Sequence, residues 1–294
     1  IDDFNQLTNG RSYDSHVASV ALSKRFEGGI ITEGGSVNVS LGYAFTDSNN
    51  TRNFFGATAN GNFEDTAAFD FQDPAVSTSN FETRHRFTVA ASFKEQFIED
   101  YNTQLGVFFS ARSGRPYSLT FSGDGFQDST SGDNNALLYI PTGPNDPNIS
   151  PLSSATDADI TNLVSFVDGL KCDYTPGETI RRNTCKNDWV YDMDLRFSQE
   201  LPGFGTLFGV DDKFELFADF DNFLNFIDGD WNVFRNRDDE DGLVDLIEAD
   251  GVDSAGRYIF EDLNLNSDGA IDDQERIGFS NSVWRIQVGV RYEF

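Results

Sequence analysis

The sharpest chemical pattern in the chain is a run of twelve residues. In Asn264-Leu265-Asn266-Ser267-Asp268-Gly269-Ala270-Ile271-Asp272-Asp273-Gln274-Glu275, oxygen donors stand at positions 1, 3, 5, 9 and 12, with a glycine at 6 and an aliphatic residue at 8. This is the register of an EF-hand-type calcium loop, in which alternate side chains converge on one hard cation. On that reading Asn264, Asn266, Asp268 and Asp272 supply side-chain oxygens, the Ala270 carbonyl adds an uncharged ligand, and Glu275 closes the shell with two oxygens. Gly269 permits the sharp turn. Asn264 where Asp is usual lowers the ligand charge and with it the affinity, and a plain acidic turn is the competing reading. The stretch Arg237 to Glu248 repeats the register at positions 3, 5, 6, 9 and 12. Arg237 at its first position cannot ligate a cation, so this copy reads as a solvated acidic loop. Neither frame has the helical flanks of a signalling EF-hand. Calcium is therefore expected to be structural, neutralising carboxylates crowded between Asp238 and Glu275.

Cys172 and Cys185 are the only cysteines, set among Gly, Asn, Asp and Thr. That context suits a disulfide formed in an oxidising compartment, and two unpaired loop thiols is the alternative. The bridge would close a loop of about a dozen residues and contribute roughly 3 kcal/mol by the chain-entropy argument. His16 and His85, the only histidines, lie far apart with no matching ligand. So few His and Cys leave little for a catalytic centre, and an enzyme is not expected. Gly123-Asp124-Gly125 and Gly132-Asp133-Asn134-Asn135 read as turns.

The elements that must carry these residues are strands. The 294 residues hold 49 Asp plus Glu against 21 Lys plus Arg, a net charge of −28, which excludes a nucleic-acid binder working through phosphate contacts. With 29 Phe, 9 Tyr and 3 Trp, the chain has far more apolar surface to bury than a disordered acidic chain carries. No apolar run is long enough for a transmembrane helix, but a transmembrane strand needs only about ten alternating residues. Alternation is the dominant signal. Trp284, Ile286, Val288, Val290, Tyr292 and Phe294 point one way and Arg285, Gln287, Gly289, Arg291 and Glu293 the other. Similar runs cover residues 189–198, 214–221, 104–111, 87–94 and 37–45, and a weaker one spans His16 to Phe26, giving seven strands. Short links near 27–35, 98–103 and 200–212 alternate with long polar links near 47–83, 117–187 and 226–281. An antiparallel meander would then collect every short turn at one end and every long loop at the other, the plan of an outer-membrane barrel.

A soluble β-sandwich would also alternate. Against it stand the charged pairs on the second face and the aromatic residues at strand ends, such as Trp189, Tyr191, Tyr292 and Phe294, as interfacial girdles require. Seven strands cannot close a bacterial barrel, and two bare edges in lipid are costly. Further strands are therefore expected upstream or in another copy. The chain opens at Ile1 with neither an initiator Met nor a signal peptide, which reads as a processed product or part of a longer polypeptide.

Several strings in fixed order then resemble a known family. Arg84-His85-Arg86-Phe87, Ser113-Gly114-Arg115-Pro116-Tyr117, Leu138-Tyr139-Ile140-Pro141, Asp194-Leu195-Arg196-Phe197-Ser198-Gln199-Glu200, and Asp221-Asn222-Phe223-Leu224-Asn225 before Asp230-Trp231 resemble the C-terminal part of TonB-dependent outer-membrane receptors of the Oar-like group. The likeness runs from about Tyr13 to Phe294. It implies an all-β, antiparallel transmembrane barrel, with residues 1–294 forming about the last seven of 22 strands, and a lumen plug that is not in this chain. It further implies energised uptake of a ligand through the plugged barrel, in the outer membrane of a Gram-negative-type envelope. The implied partners are outer-membrane lipid, the remaining strands and plug, the TonB energy-transducing complex and a surface lipoprotein. Phe294 would lie at the periplasmic rim, and Asp192, Asp194, Arg196, Glu215, Asp219, Asp221, Arg285, Arg291 and Glu293 would face the lumen as a network that satisfies its own charges. The alternative function is surface adhesion or structure, with calcium-stabilised loops on a barrel that only anchors them.

Overall fold

The computed structural model describes residues 13–52, 66–123, 125–126, 134–205, 209, 212–237 and 242–294. In chain order its strands begin with β1 (Asp14–Glu27), β2 (Ser36–Asn50), β3 (Ser77–Thr78), β4 (His85–Ile98), β5 (Tyr101–Arg112) and β6 (Pro116–Ser122). There follow β7 (Tyr139–Ile140), β8 (Glu178–Thr179), β9 (Cys185–Lys186), β10 (Val190–Pro202) and β11 (Lys213–Asp221). The last are β12 (Arg235–Arg237), β13 (Leu243–Val252), β14 (Tyr258–Leu263), β15 (Glu275–Ile277) and β16 (Arg285–Glu293). Among the described residues there are three helices, α1 (Asp157–Gly169), α2 (Phe223–Ile227) and α3 (Phe279–Ser282).

The seven alternating stretches pair in sequence order, β1-β2-β4-β5-β10-β11-β16, every contact antiparallel, with the short β3 added beside β2. Because directly paired residues share a face, the register can be followed across the whole sheet. One rung runs Phe26, Val37, Phe93, Leu105, Phe197, Ala218, Val288. The rung beside it on the opposite face runs Arg25, Asn38, Ser92, Gly106, Arg196, Asp219, Gln287. The sheet is thus apolar on one side and polar on the other along its full width. Among the described residues it is open: β1 pairs with β2 alone and β16 with β11 alone.

Among the described residues nothing packs across the apolar side. Leu22 is 64% exposed, Val288 75% and Val290 63%, values at odds with a soluble sandwich, whose inner face would be packed. The buried core lies instead in the long connections, where the composition predicts polar loops. There β14, β13, β6 and β9 form a second sheet, with β13 and β6 parallel. Every residue of β6 is buried, and Leu119, Leu138, Ile140, Val244, Leu246, Ile247 and Phe260 have no exposed surface. Connections this long are uncommon without structure of their own, and these close on themselves into a folded cap.

Helix α1 shows how local chemistry serves that cap. Thr156 and Asp159 form a reciprocal capping box, with Asp157 and Asp159 in the first turn where the helix dipole favours acids. Ile160, Leu163 and Val167 then share one face and are buried. Leu163→Ala is expected to destabilise the cap by about 2–5 kcal/mol and to advance proteolysis within residues 117–187. Val288→Ala on the open face should leave that cleavage unchanged; equal effects of the two would disprove the location of the core.

Candidate functional site

The polar face divides into two regions. Toward the short-turn end the charges of β10, β11 and β16 pair. Arg196 Nη1 lies 3.1 Å from Asp219 Oδ2, Arg291 Nη1 2.9 Å from Glu215 Oε2, and Lys213 Nζ 2.8 Å from Glu200 Oε1 and 3.3 Å from Glu293 Oε2. Phe217 is also on this face, with the Arg196 guanidinium 4.8 Å from its ring centre. It fits because Gly289 is opposite: a Cβ there would fall 2.3 Å from the ring. Of the nine charges expected on one face, those in this region do satisfy one another.

Toward the long-loop end the polar face opens into a cleft of about 380 Å³, roofed by Asn232, Phe234 and Asn281. Asn222 shapes its edge. With φ at +52° it ends β11 in the left-handed region that Asn tolerates, and its amide donates to Asp194 Oδ1 at 2.9 Å. Asn232 Nδ2 donates to Asn222 Oδ1 at 2.6 Å, and Asn225 Nδ2 donates to the carbonyls of Gly229 and Trp231. The Asp221-Asn222-Phe223-Leu224-Asn225 string is therefore a strand-ending turn whose amides hold the roof. Arg112 lies with its guanidinium carbon 5.9 Å from the Phe234 ring centre.

Two carboxylates tie the cap together. Asp146 accepts from the Thr142 amide at 2.7 Å, the Thr142 hydroxyl at 2.9 Å, the Asn148 amide at 2.8 Å and the Tyr139 hydroxyl at 3.0 Å. Burial pushes its pKa up, but these hydrogen bonds outweigh it and hold the carboxyl below its usual range. Asp253 accepts from the Arg257 amide at 3.0 Å, the Ala255 amide at 2.8 Å, the Ser150 hydroxyl at 2.8 Å and Arg257 Nε at 2.8 Å. The Arg257 amide bond is the main cause of a strongly lowered pKa there. Cys172 and Cys185 form the expected disulfide, which joins an antiparallel bridge at the edge of β9.

The Asn264–Glu275 loop has the expected turn but different partners. Gly269 takes φ +83°, and Leu265 and Ile271 face each other in an antiparallel bridge. Asn266 Oδ1 accepts from the amides of Asp268 and Ala270, Asp268 Oδ1 accepts from the Ala270 amide, and the Ala270 carbonyl accepts from the Asn266 amide at 2.9 Å. Asn264 Nδ2 donates to Asp245 Oδ2 at 2.8 Å, and the Gln274 amide donates to Asp272 Oδ1 at 2.9 Å. Glu275 is held by Arg235 at 2.9 Å and Arg237 at 3.2 Å, and Arg237 also meets Asp273 at 2.8 Å. Among the described residues no three His, Cys, Asp or Glu side chains converge on a common point. Arg237, dismissed as a ligand from sequence, is thus a built-in counter-ion for this loop. Part of its own acidic frame, residues 238–241, lies outside the described residues, as do Asp124, Gly132 and Asp133 of the turn segments. The rest of that frame begins strand β13. His16 and His85 do not meet; the Nδ1 of His85 lies 3.0 Å from the Tyr43 hydroxyl.

No protein-family model matches the chain, and comparisons with curated proteins and with solved structures likewise find no match.

A carboxyl whose folded pKa is lowered contributes stability above its unfolded value and loses it as pH falls. The cap should therefore melt at a constant temperature from neutral pH to about pH 5 and progressively lower below about pH 4. Asp253→Asn should lower the neutral-pH melting temperature and flatten that acid slope. An unchanged slope in this variant would exclude Asp253 as its source.

Proposed function

We propose that the seven-strand sheet is a segment of a transmembrane β-barrel in an outer membrane, and that the chain is the barrel part of a TonB-dependent receptor that imports a ligand through a plugged lumen. The observation that carries the membrane reading is the continuous apolar face, on which nothing packs among the described residues. A patch spanning seven strands is far larger than a soluble monomer exposes, while lipid is its natural solvent. The strands, from 9 to 15 residues, are long enough to cross when tilted. Rings cluster at both ends. Tyr43, Phe87 and Trp189 stack at the long-loop end, and Phe204, Phe214 and Tyr292 at the short-turn end, as two interfaces require. The bare edges of β1 and β16 call for further strands, and the charged inner wall suits a wet lumen filled by a plug. The ordered strings that resemble the Oar-like group support the transport assignment.

In this reading calcium is a structural cofactor of the Asn264–Glu275 loop, held by Asn264, Asn266, Asp268, the Ala270 carbonyl, Asp272 and Glu275, and it must win Glu275 from Arg235 and Arg237. The separately buried cap core favours one other function, a rigid surface module that binds another surface protein and uses the barrel as an anchor.

The protein is expected in the outer-membrane fraction, with a faster-migrating unheated band on a heat-modifiability gel. Soluble behaviour would sink both functions. Co-purification of the full receptor with the TonB C-terminal domain is expected for transport, and its absence would favour the anchor. A chelator should lower the melting temperature of the wild type but not that of Asp268→Ala with Glu275→Ala; a chelator-insensitive wild type would refute the calcium site.

A further inference from the structure

In register β4 places Arg86 directly opposite Arg112 of β5. Two guanidiniums facing each other across a strand pair repel, and Arg115 adds a third positive charge near Arg112. A chain with a net charge of −28 has carboxylates to spare for such a site, yet among the described residues neither Arg86 nor Arg112 forms an ion pair. Asp192 and Asp221 line the same cleft, and they too make no ion pair among the described residues. The contrast with the other end of the same face is direct, since there Arg196, Arg291 and Lys213 all meet carboxylates within 3.3 Å. Opposite charges share one cleft of about 380 Å³ without collapsing onto each other. The Phe234 ring centre lies 5.9 Å from the Arg112 guanidinium carbon, within reach of a cation–π attraction.

We propose that Arg86 and Arg112 bind an oxyanion, a carboxylate or phosphate, and that Asp192 and Asp221 take an ammonium or hydroxyl group of the same ligand. Guanidinium forks match the geometry of such an anion, and an anion between the two arginines relieves their repulsion. The acidic wall selects against a bare polyanion and for a zwitterionic or hydroxylated one. The cleft volume is at the lower end of the range of small-molecule sites. That this molecule is the imported ligand rests on the transport reading; the binding itself does not.

The test is calorimetry on the detergent-solubilised full-length protein at fixed ionic strength, with inorganic phosphate and O-phosphoethanolamine as probes and thermal melting as a check on folding. Phosphate should bind saturably, and Arg86→Gln or Arg112→Gln should weaken it by about tenfold or more. Arg25→Gln, a single arginine on the same face with Asn38 opposite, should not. Phosphoethanolamine should bind more tightly than phosphate, and Asp221→Asn with Asp192→Asn should abolish that preference. No saturable binding in a folded protein, or equal weakening by Arg25→Gln, would overturn the site. So would a wild type that ignores both probes while Arg112→Gln lowers the melting temperature, since a carboxylate of another segment would then occupy the pair. A soluble location would sink the transport reading and leave phosphate binding intact, so the two failures are distinguishable.

Discussion

Every part of the structure depends on the register of the seven-strand sheet. Side chains alternate with period two, so a slip of one residue in any strand would turn its apolar set onto the charged face. No such slip occurs along the rungs that cross from β1 to β16. Phe26 to Val288 stay on one side and Arg25 to Gln287 on the other. Hydrogen bonding alone would tolerate several registers. Only one lets Phe217 rest over Gly289 while Arg196 reaches both that ring and Asp219.

A sheet built this way has no interior of its own, and this decides where the core must be. Among the described residues no second layer packs on its apolar face, so the apolar residues that do leave solvent gather in the long connections. These segments are far apart in the chain, and β6 pairs in parallel with β13 about 125 residues later. The cap is fastened to the sheet by tight backbone passages. A Cβ on Gly114, just after β5, would lie 2.3 Å from the Asn187 carbonyl oxygen, so chain entering the cap and chain leaving it run in contact. Asn187 Oδ1 also accepts from the Arg237 amide at 2.7 Å, tying β12 and the acidic loop beside it to the same junction.

The sheet was legible in the sequence because a half-exposed strand advertises itself by alternation, and the lengths of the links gave its order. The cap was not, for identifiable reasons. β6 does alternate, Tyr117, Leu119 and Phe121 with Ser118, Thr120 and Ser122, but its polar residues are as buried as its apolar ones, and small hydroxyl residues read by composition as loop. Helix α1 did carry a signal, Thr156 and Asp159 ahead of Ile160, Leu163 and Val167, but a composition reading of 117–187 as one polar link concealed it. At the acidic loop, spacing foretold the Gly269 turn but not the partners of Glu275. Arg235 and Arg237 arrive on β12, which meets β15 only through the fold.

The same distinction explains the charge. An excess of acids over bases would be expected to leave every arginine claimed by a neighbouring carboxylate. In the cap Arg257 meets Asp253, and Arg237 meets Asp273 and Glu275. On β10, β11 and β16 Arg196 and Arg291 meet Asp219 and Glu215. Along the cleft between β4, β5, β10 and β11, Arg86, Arg112, Asp192 and Asp221 form no ion pair among the described residues, with Asn222 and Phe234 also lining it. Keeping opposite charges apart carries an electrostatic cost that the rest of the molecule avoids, and rigid local hydrogen bonding is what sustains it. If an oxyanion does bind between Arg86 and Arg112, that cost is what the ligand relieves.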